Sequence, residues 1–534
     1  MGQVEVNVEP VLFGSHHQRR FQNLLSSPLL RLPTELIINI SEHTIESDDD
    51  LSIGDERDDG DFSDDDSDGG YVYNCGLPAP ESSLTSPLVL TAICYKLRKI
   101  GMATPHLWGT VNLNFPRLAT LFLERCGYEP HTLKISAPTR VSMCLATSLQ
   151  VAWAQVQGCA FDNLRSLVFT GGVEFNHVVP IIQRAAKISS LDLQQTAFPI
   201  LSLPWNPTVS PPRLSALRLC GFSVSWTSPL LRNLTQLTLD CGTIRSAAGD
   251  TSVEAFLTVL GNCPDLERLE LCGAGPHPPV SRRDNCDRVV QLPKLRGLFL
   301  EFANASTVAC ILSHVSYPES ASLDICVRIL GGVRVSETIP QIFAPQDTDT
   351  LRRFWGTKTL TVCVEDEVYE FSTGRSTVRL WLPGFPSGTP EPSRFATRIL
   401  EITGRDITSL SVMAQATHLD CQTWEVFLRG LPQLNRLGYR YHRQGGLSQN
   451  SIDSFLLVFS WQFQGEPICP QLQRLGLPRR SLDQNPSAMY LKRALTLRGR
   501  WGRRLKQIRL SDDRSEEGAG LLFELCKDVV DEVL

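Results

Sequence analysis

Sixteen cysteines and ten histidines are the first residues to test for chemistry. A structural zinc site needs thiols at short paired spacing, and no Cys-x-x-Cys occurs; no histidine stands in a metal-binding or triad spacing. Gly273-Ala274-Gly275 runs into Pro276-His277-Pro278, which cannot open a helix as a dinucleotide loop does. Asp64-Asp65-Asp66-Ser67-Asp68-Gly69 copies the start of a calcium loop, but Cys75 stands where the bidentate Glu belongs. No phosphate loop and no Gly-x-Ser-x-Gly elbow is present. Cys220, Cys241, Cys263 and Cys272 lie beside leucine-rich segments, where a thiol serves as a small buried hydrophobe. These residues offer no catalytic set, so the expectation is a protein without enzymatic activity, metal or cofactor.

Charge is more informative. Residues 46–68 hold thirteen acids against Arg57, a net of −12, which leaves +6 for the remainder of a chain whose total is −6. Such a tract cannot bury enough apolar surface to offset its ordering entropy, so residues 46–86 are expected to be disordered. Ser47 and Ser63 each precede three aspartates, a context that acid-directed kinases of the casein kinase II type prefer. At the other extreme, residues 474–509 hold eleven Lys or Arg and only Asp483, a net of +10. Charge alone sets up an expectation that the two segments compete with a substrate for one another.

The elements that position these charges follow from the apolar pattern. Hydrophobic residues make up 42% of 534, enough for a sizeable core. The N-terminus lacks the order of a signal peptide, and no apolar run reaches the roughly 20 residues that span a bilayer. The reading is an intracellular protein, cytoplasmic or nuclear, without a membrane partner. An apolar-x-x-apolar-x-apolar unit recurs at Leu164/Leu167/Phe169, Ile188/Leu191/Leu193, Leu214/Leu217/Leu219, Leu234/Leu237/Leu239, Leu266/Leu269/Leu271 and Leu295/Leu298/Leu300. It returns at Ile407/Leu410/Val412, Leu434/Leu437/Tyr439, Leu472/Leu475/Leu477 and Leu505/Ile508/Leu510, with weaker copies at Leu323/Ile325 and Leu360/Val362. The spacing straddles that of leucine-rich repeats, whose strand–helix units stack into a solenoid. Residues 330–400 are expected to depart from it as loops. The variable positions around the inner apolar residues then share one face, which gathers Arg436, Arg440, Arg474 and Arg509, with Arg268, Arg218, Asp192, Asp240, Glu270 and Glu301 earlier. Arginine suits an acidic or phosphorylated partner, whereas nucleic acid would need more stacking platforms than Tyr490 and Trp501.

Two short amphipathic pieces flank the acidic tract: Leu32-Pro33-Thr34-Glu35-Leu36-Ile37 on one side, and Ser86-Pro87-Leu88-Val89-Leu90, Cys94 and Ala103-Thr104-Pro105-His106-Leu107-Trp108 on the other. Together they resemble an F-box, and the chain is similar to the F-box-plus-repeat proteins abundant in mushroom-forming fungi. Ser41 stands where the motif usually has Phe, and Leu97 where it usually has Trp. The resemblance implies a substrate receptor of a cullin-RING, SCF-type ubiquitin ligase, in which the motif binds the Skp-family adaptor and the repeats hold the target. It implies adaptor contacts at Leu32, Pro33, Glu35, Leu36, Ile37 and Ile40, and after the insertion at Leu88, Val89, Ile93, Leu97, Ile100, Leu107 and Trp108. The alternative is a leucine-rich-repeat interaction scaffold with no ligase coupling.

The expected architecture is therefore α/β, a small helical F-box-like module followed by an irregular leucine-rich-repeat solenoid. Residues 1–25 form a tail, 26–110 the module with its insertion at 46–86, 111–160 a linker and first irregular repeat, and 161–534 the solenoid, capped by a helix over 521–533.

Overall fold

Alternation of two apolar side chains around one polar one turns both to the same side of an extended backbone, so a strand is stable wherever helices cover that side. The computed structural model describes residues 32–34, 36–37, 88, 91, 95–113, 115–137, 153–171, 178–195, 201–202, 213–241, 252–276, 288–329, 335–343, 358–364, 368–374, 376–381, 392–403, 406–414, 419–440, 449–463, 466–478, 485–511 and 530–533. It is a mixed α/β chain built on a largely parallel sheet, and it divides into two units, Met1–Leu191 and Asp192–Leu534.

In the first unit, helix α1 (Tyr95–Ala103) buries Leu97, Ile100 and Gly101 on one face. Ile37 joins Leu97 and Ile100 in one apolar cluster, with Leu32 packed against it. Pro105 cannot continue the helix, and a 3₁₀ turn (Pro105–Trp108) follows. The Trp108 indole turns back to donate to the Gly101 carbonyl at 2.7 Å and meets Phe122 edge-on at 5.2 Å. Phe122 lies on α2 (Pro116–Arg125), between β1 (Thr110–Asn112) and β2 (Thr132–Ala137). These pair in parallel, and β2 pairs in parallel with β3 (Ser166–Gly171), lining up Val111, Leu133 and Leu167. Gly109, just before β1, has no room for a side chain, because a Cβ would run into the His131 ring. The span expected to begin as a linker at 111 thus already carries strand, helix and strand. After α3 (Val179–Arg184) comes β4 (Ser190–Gln194), within which the division between units falls.

The second unit opens with a parallel ladder of β5 (Ala216–Cys220), β6 (Gln236–Asp240), β7 (Arg268–Cys272), β8 (Gly297–Phe302) and β9 (Ser322–Arg328). Its register aligns Leu217, Leu237, Leu269, Leu298 and Leu323 as one buried row. The weaker copies are strands too: Leu323 and Ile325 lie in β9, Leu360 and Val362 in β10 (Thr359–Val364).

The expectation of loops over 330–400 needs correction. Besides helix α6 (Val335–Ile342), the region holds β10, β11 (Val368–Thr373) and β12 (Ser376–Trp381). The chain leaves β9, lays down β10 three places further on, and returns through antiparallel β11 to β12, which pairs in parallel with β9. Gly374, at a φ of 65°, supplies the left-handed residue of the β11–β12 turn. The parallel ladder then resumes from β10 through β13 (Ser409–Ala414), β14 (Arg436–Arg440), β15 (Arg474–Pro478) and β16 (Leu505–Ser511). A second buried row runs Leu360, Leu410, Leu437, Leu475 and Ile508.

Helices cover the buried side. Ser252 caps α4 (Val253–Gly261), Asn304 caps α5 (Ala305–His314), and Asp420 caps α8 (Cys421–Gly430), each by accepting a backbone N–H in the first turn. Phe395 of α7 (Pro392–Thr403) packs on Tyr369 and Phe371, while Trp424 of α8 packs on Tyr439 and on Phe455 of α9 (Gln449–Phe459). Full burial of each such side chain contributes about 1.5–3 kcal/mol. The expected C-terminal helix over 521–533 also needs correction at its end, because β17 (Val530–Val533) pairs in parallel with β16. An unpaired β16 edge offers a full row of hydrogen bonds, and valine favours a strand.

Candidate binding face

Since the leucines face the helices, the alternate residues of β5–β16 line the opposite, open face of the sheet. One row of it runs Arg218, Thr238, Glu270, Phe299, Asp324 and Thr377, all half-buried. The next row continues from Cys272 through Glu301, Cys326, Arg379 and Glu370 to Cys363.

On β7–β12 three arginines of this face are paired with carboxylates. Arg268 Nε donates to Glu270 Oε1 at 2.5 Å, and the Thr238 hydroxyl donates to Glu270 Oε2 at 2.9 Å. Arg379 pairs with Glu370 at 2.7 Å, and Arg328 with Glu301 at 3.0 Å. The last pair is the most enclosed, with side chains 8% and 13% exposed, and the Arg328 guanidinium also lies 4.5 Å from the Trp381 ring centre. Burial, then the nearby Asp240 carboxylate, push Glu301 up to about 7, against the pull of Arg379; the Arg328 guanidinium also attracts its charge. Burial likewise lowers Arg328 to about 10. Asp192 is raised by burial against the pull of Arg218.

The last strands differ. Arg436 and Arg474 stand directly opposite each other on β14 and β15, and Arg509 on β16 is opposite Gly476. All three side chains are exposed, and among the described residues none of their guanidinium groups has a hydrogen-bond or ion-pair partner. Between them the open face is bare, because Gly438 and Gly476 are neighbours in register. Arg440 sits opposite Met413, its side chain outside the described residues. Sequence reasoning grouped Arg268 with these arginines, but its carboxylate partner sets it apart.

The basic stretch 474–509 is also divided. Arg498, on α10 (Asn485–Arg500), is 1% exposed and lies in the core, donating to the carbonyls of Ile468, Cys469 and Leu472 at 2.9–3.1 Å. Its exposed neighbours Lys492, Arg493 and Arg500 belong to the helical layer, not the open face. The reading of 330–400 as loops hid Glu370, Arg379 and Trp381. Alternation in Ser376-Thr377-Val378-Arg379-Leu380-Trp381 is the signal that could have placed them.

In the first unit, Ile37, Leu97, Ile100, Leu107 and Trp108 are buried in the chain's own core, Leu32 and Leu88 are half-buried, and Pro33 and Leu36 are exposed. Glu35, Ile40, Val89 and Ile93 lie outside the described residues, as do the calcium-like run and Ser47 and Ser63. The Lys96 ammonium donates to the Leu32 carbonyl at 3.4 Å, joining the two sides of the acidic insertion. Leu36, Tyr95 and Met102 expose large apolar side chains, at 47%, 60% and 42%.

Among the described residues, no three His, Cys, Asp or Glu side chains gather as a metal site would require, and no helix is long and apolar enough to cross a membrane. The described cysteines are not in disulfides, and burial pushes Cys159 and Cys241 up to about 11 and Cys469 to about 12. Comparison with known proteins finds no family model that matches the chain and no curated protein that resembles it.

Proposed function

We propose that the chain is the substrate-recognition subunit of a cullin-RING ubiquitin ligase. Residues 26–110 act as an F-box-like module that binds a Skp-family adaptor, and the strand–helix units act as leucine-rich repeats that hold the target. The observation that carries the reading is the apolar cluster in which Leu32 and Ile37 meet Leu97 and Ile100 across the insertion. Two short helical pieces too small for a core of their own are held as one module, and that module leaves Leu36, Tyr95 and Met102 uncovered. Leu107 and Trp108 serve it from within, tying α1 to α2. The protein performs no bond chemistry in this reading; it supplies proximity, turning transfer between two bound partners into an effectively intramolecular event.

The test is co-purification of the full chain with a Skp-family adaptor. Recovery is expected from the unaltered chain, and Leu36→Asp with Met102→Asp should abolish it without loss of folding. Deleting residues 47–84 should leave it intact, since that segment joins the two pieces of the module without belonging to either. The second reading, a scaffold without ligase coupling, draws on Ser41 and Leu97, which stand where the motif usually has Phe and Trp. Absence of the adaptor from a folded, unaltered chain would favour it.

A further inference from the structure

Among the described residues, Arg436, Arg474 and Arg509 on the open face have no carboxylate partner, whereas Arg268, Arg328 and Arg379 on the same face each have one. Arg436 and Arg474 are directly opposite on adjacent strands, an arrangement that destabilises a sheet unless something neutralises it. Beside them stand two glycines that the fold does not demand. Neither has a positive φ. Among the described residues, a Cβ on Gly438 would approach nothing nearer than Ser411 Oγ at 4.0 Å, and one on Gly476 nothing nearer than Gly438 Cα at 3.5 Å. Glycine in a strand interior loses stability and packs nothing, so its pairing here, without a turn or a clash, marks a place where another backbone comes close.

We propose that Gly438 and Gly476, with Arg436, Arg474 and Arg509 around them, form the seat of an extended acidic segment of a partner protein. The segment's main chain lies on the bare strip and its carboxylates meet the arginines. In an extended chain every second side chain points the same way, roughly 7 Å from the last. An acid at alternate positions therefore reaches successive arginines while its backbone stays near the glycines. The seat favours a peptide over a nucleic acid, because Gly438, Gly476 and Ser411 offer no ring on which a base could stack, and the exposed Trp501 lies in the turn before β16 rather than in these rows. This rests on the reading of the repeats as the target-binding part, but not on adaptor coupling.

The test uses the full chain and a dye-labelled peptide of alternating glutamate and threonine, with binding read by fluorescence anisotropy at low and physiological salt. Arg436→Glu with Arg474→Glu should weaken binding by about tenfold or more, with the loss shrinking as salt rises. Gly438→Thr with Gly476→Thr should weaken it by about as much while the thermal midpoint holds or rises, because threonine suits a strand and the space is free. Lys492→Glu with Arg493→Glu, an equal charge change in the helical layer, should leave affinity within about twofold. A glycine variant that folds and binds like the unaltered chain would overturn the seat, as would no peptide binding at low salt, or tighter binding of oligothymidylate than of the peptide. Adaptor co-purification, run on the same variants, reports on ligase coupling separately.

Discussion

Arg498 shows what a residue count hides. Its charge belongs to the most basic stretch of the chain, yet its guanidinium is spent on three carbonyls in the turn between α9 and β15, over the Phe459 ring. Residue type alone assigns arginine to solvent, and only the packing of α10 reveals otherwise. Arg498→Met keeps most of the volume but strips those carbonyls of their donors, so urea denaturation should show a loss of about 3 kcal/mol. Arg498→Lys should recover little of it, since an ammonium cannot span a fork of carbonyls. Glu301 makes a different prediction. With its folded pKa raised to about 7 from the ordinary 4.5, the native state holds more protons than the unfolded chain between those values. Stability should therefore fall as pH rises from about 4.5 to 7, and Glu301→Gln should flatten that slope in denaturation measured across the range. Arg328→Gln, by removing the nearest cation, should raise the Glu301 pKa further.

At the level of elements, what was legible was whatever repeats. The apolar-x-x-apolar-x-apolar template locates β3–β8, β13–β16 and the two weaker copies β9 and β10, because burial of two side chains on one side admits little else. It passes over β11 and β12, whose short connections and antiparallel course belong to a hairpin, not to a strand–helix unit. The template asks for an apolar residue three before the pair, whereas Asp366 and Arg375 stand there ahead of the buried pairs Tyr369/Phe371 and Val378/Leu380. The Thr373-Gly374 step was the available turn signal. Gly374→Val forces a β-branched residue into a left-handed conformation with no clash to confuse the result, and should cost about 1–2 kcal/mol in chemical denaturation. The C-terminal strand went unread for another reason: Val530-Asp531-Glu532-Val533 has no strand period of its own, and the β16 edge decides it. The charged positions of the candidate face were legible in the same way as the leucines, by alternation. Which of them were already paired was not, because Arg328–Glu301 and Arg379–Glu370 depend on cross-strand register.

Over the whole second unit, register converts a list of repeats into a ladder in which each strand pairs only with its neighbours. Order along the sequence is kept everywhere except at the β10–β12 detour, so most contacts are made between consecutive units and stability is distributed along the sheet. Such a ladder opens from its ends, where one side of a strand has no neighbour to hold it. Among the described strands β17 is the last of the ladder, and it pairs with Leu505–Ile508 of β16. Truncation before residue 530 should therefore uncover β16 while leaving the middle of the ladder unaffected. In hydrogen exchange followed by mass spectrometry, peptides covering 505–511 should exchange faster in the truncated chain, those over β15 less so, and those over β7–β9 at the rate of the unaltered chain. Uniform acceleration across β7–β16 would instead mean that the unit opens as one cooperative block, with β17 contributing to all of it.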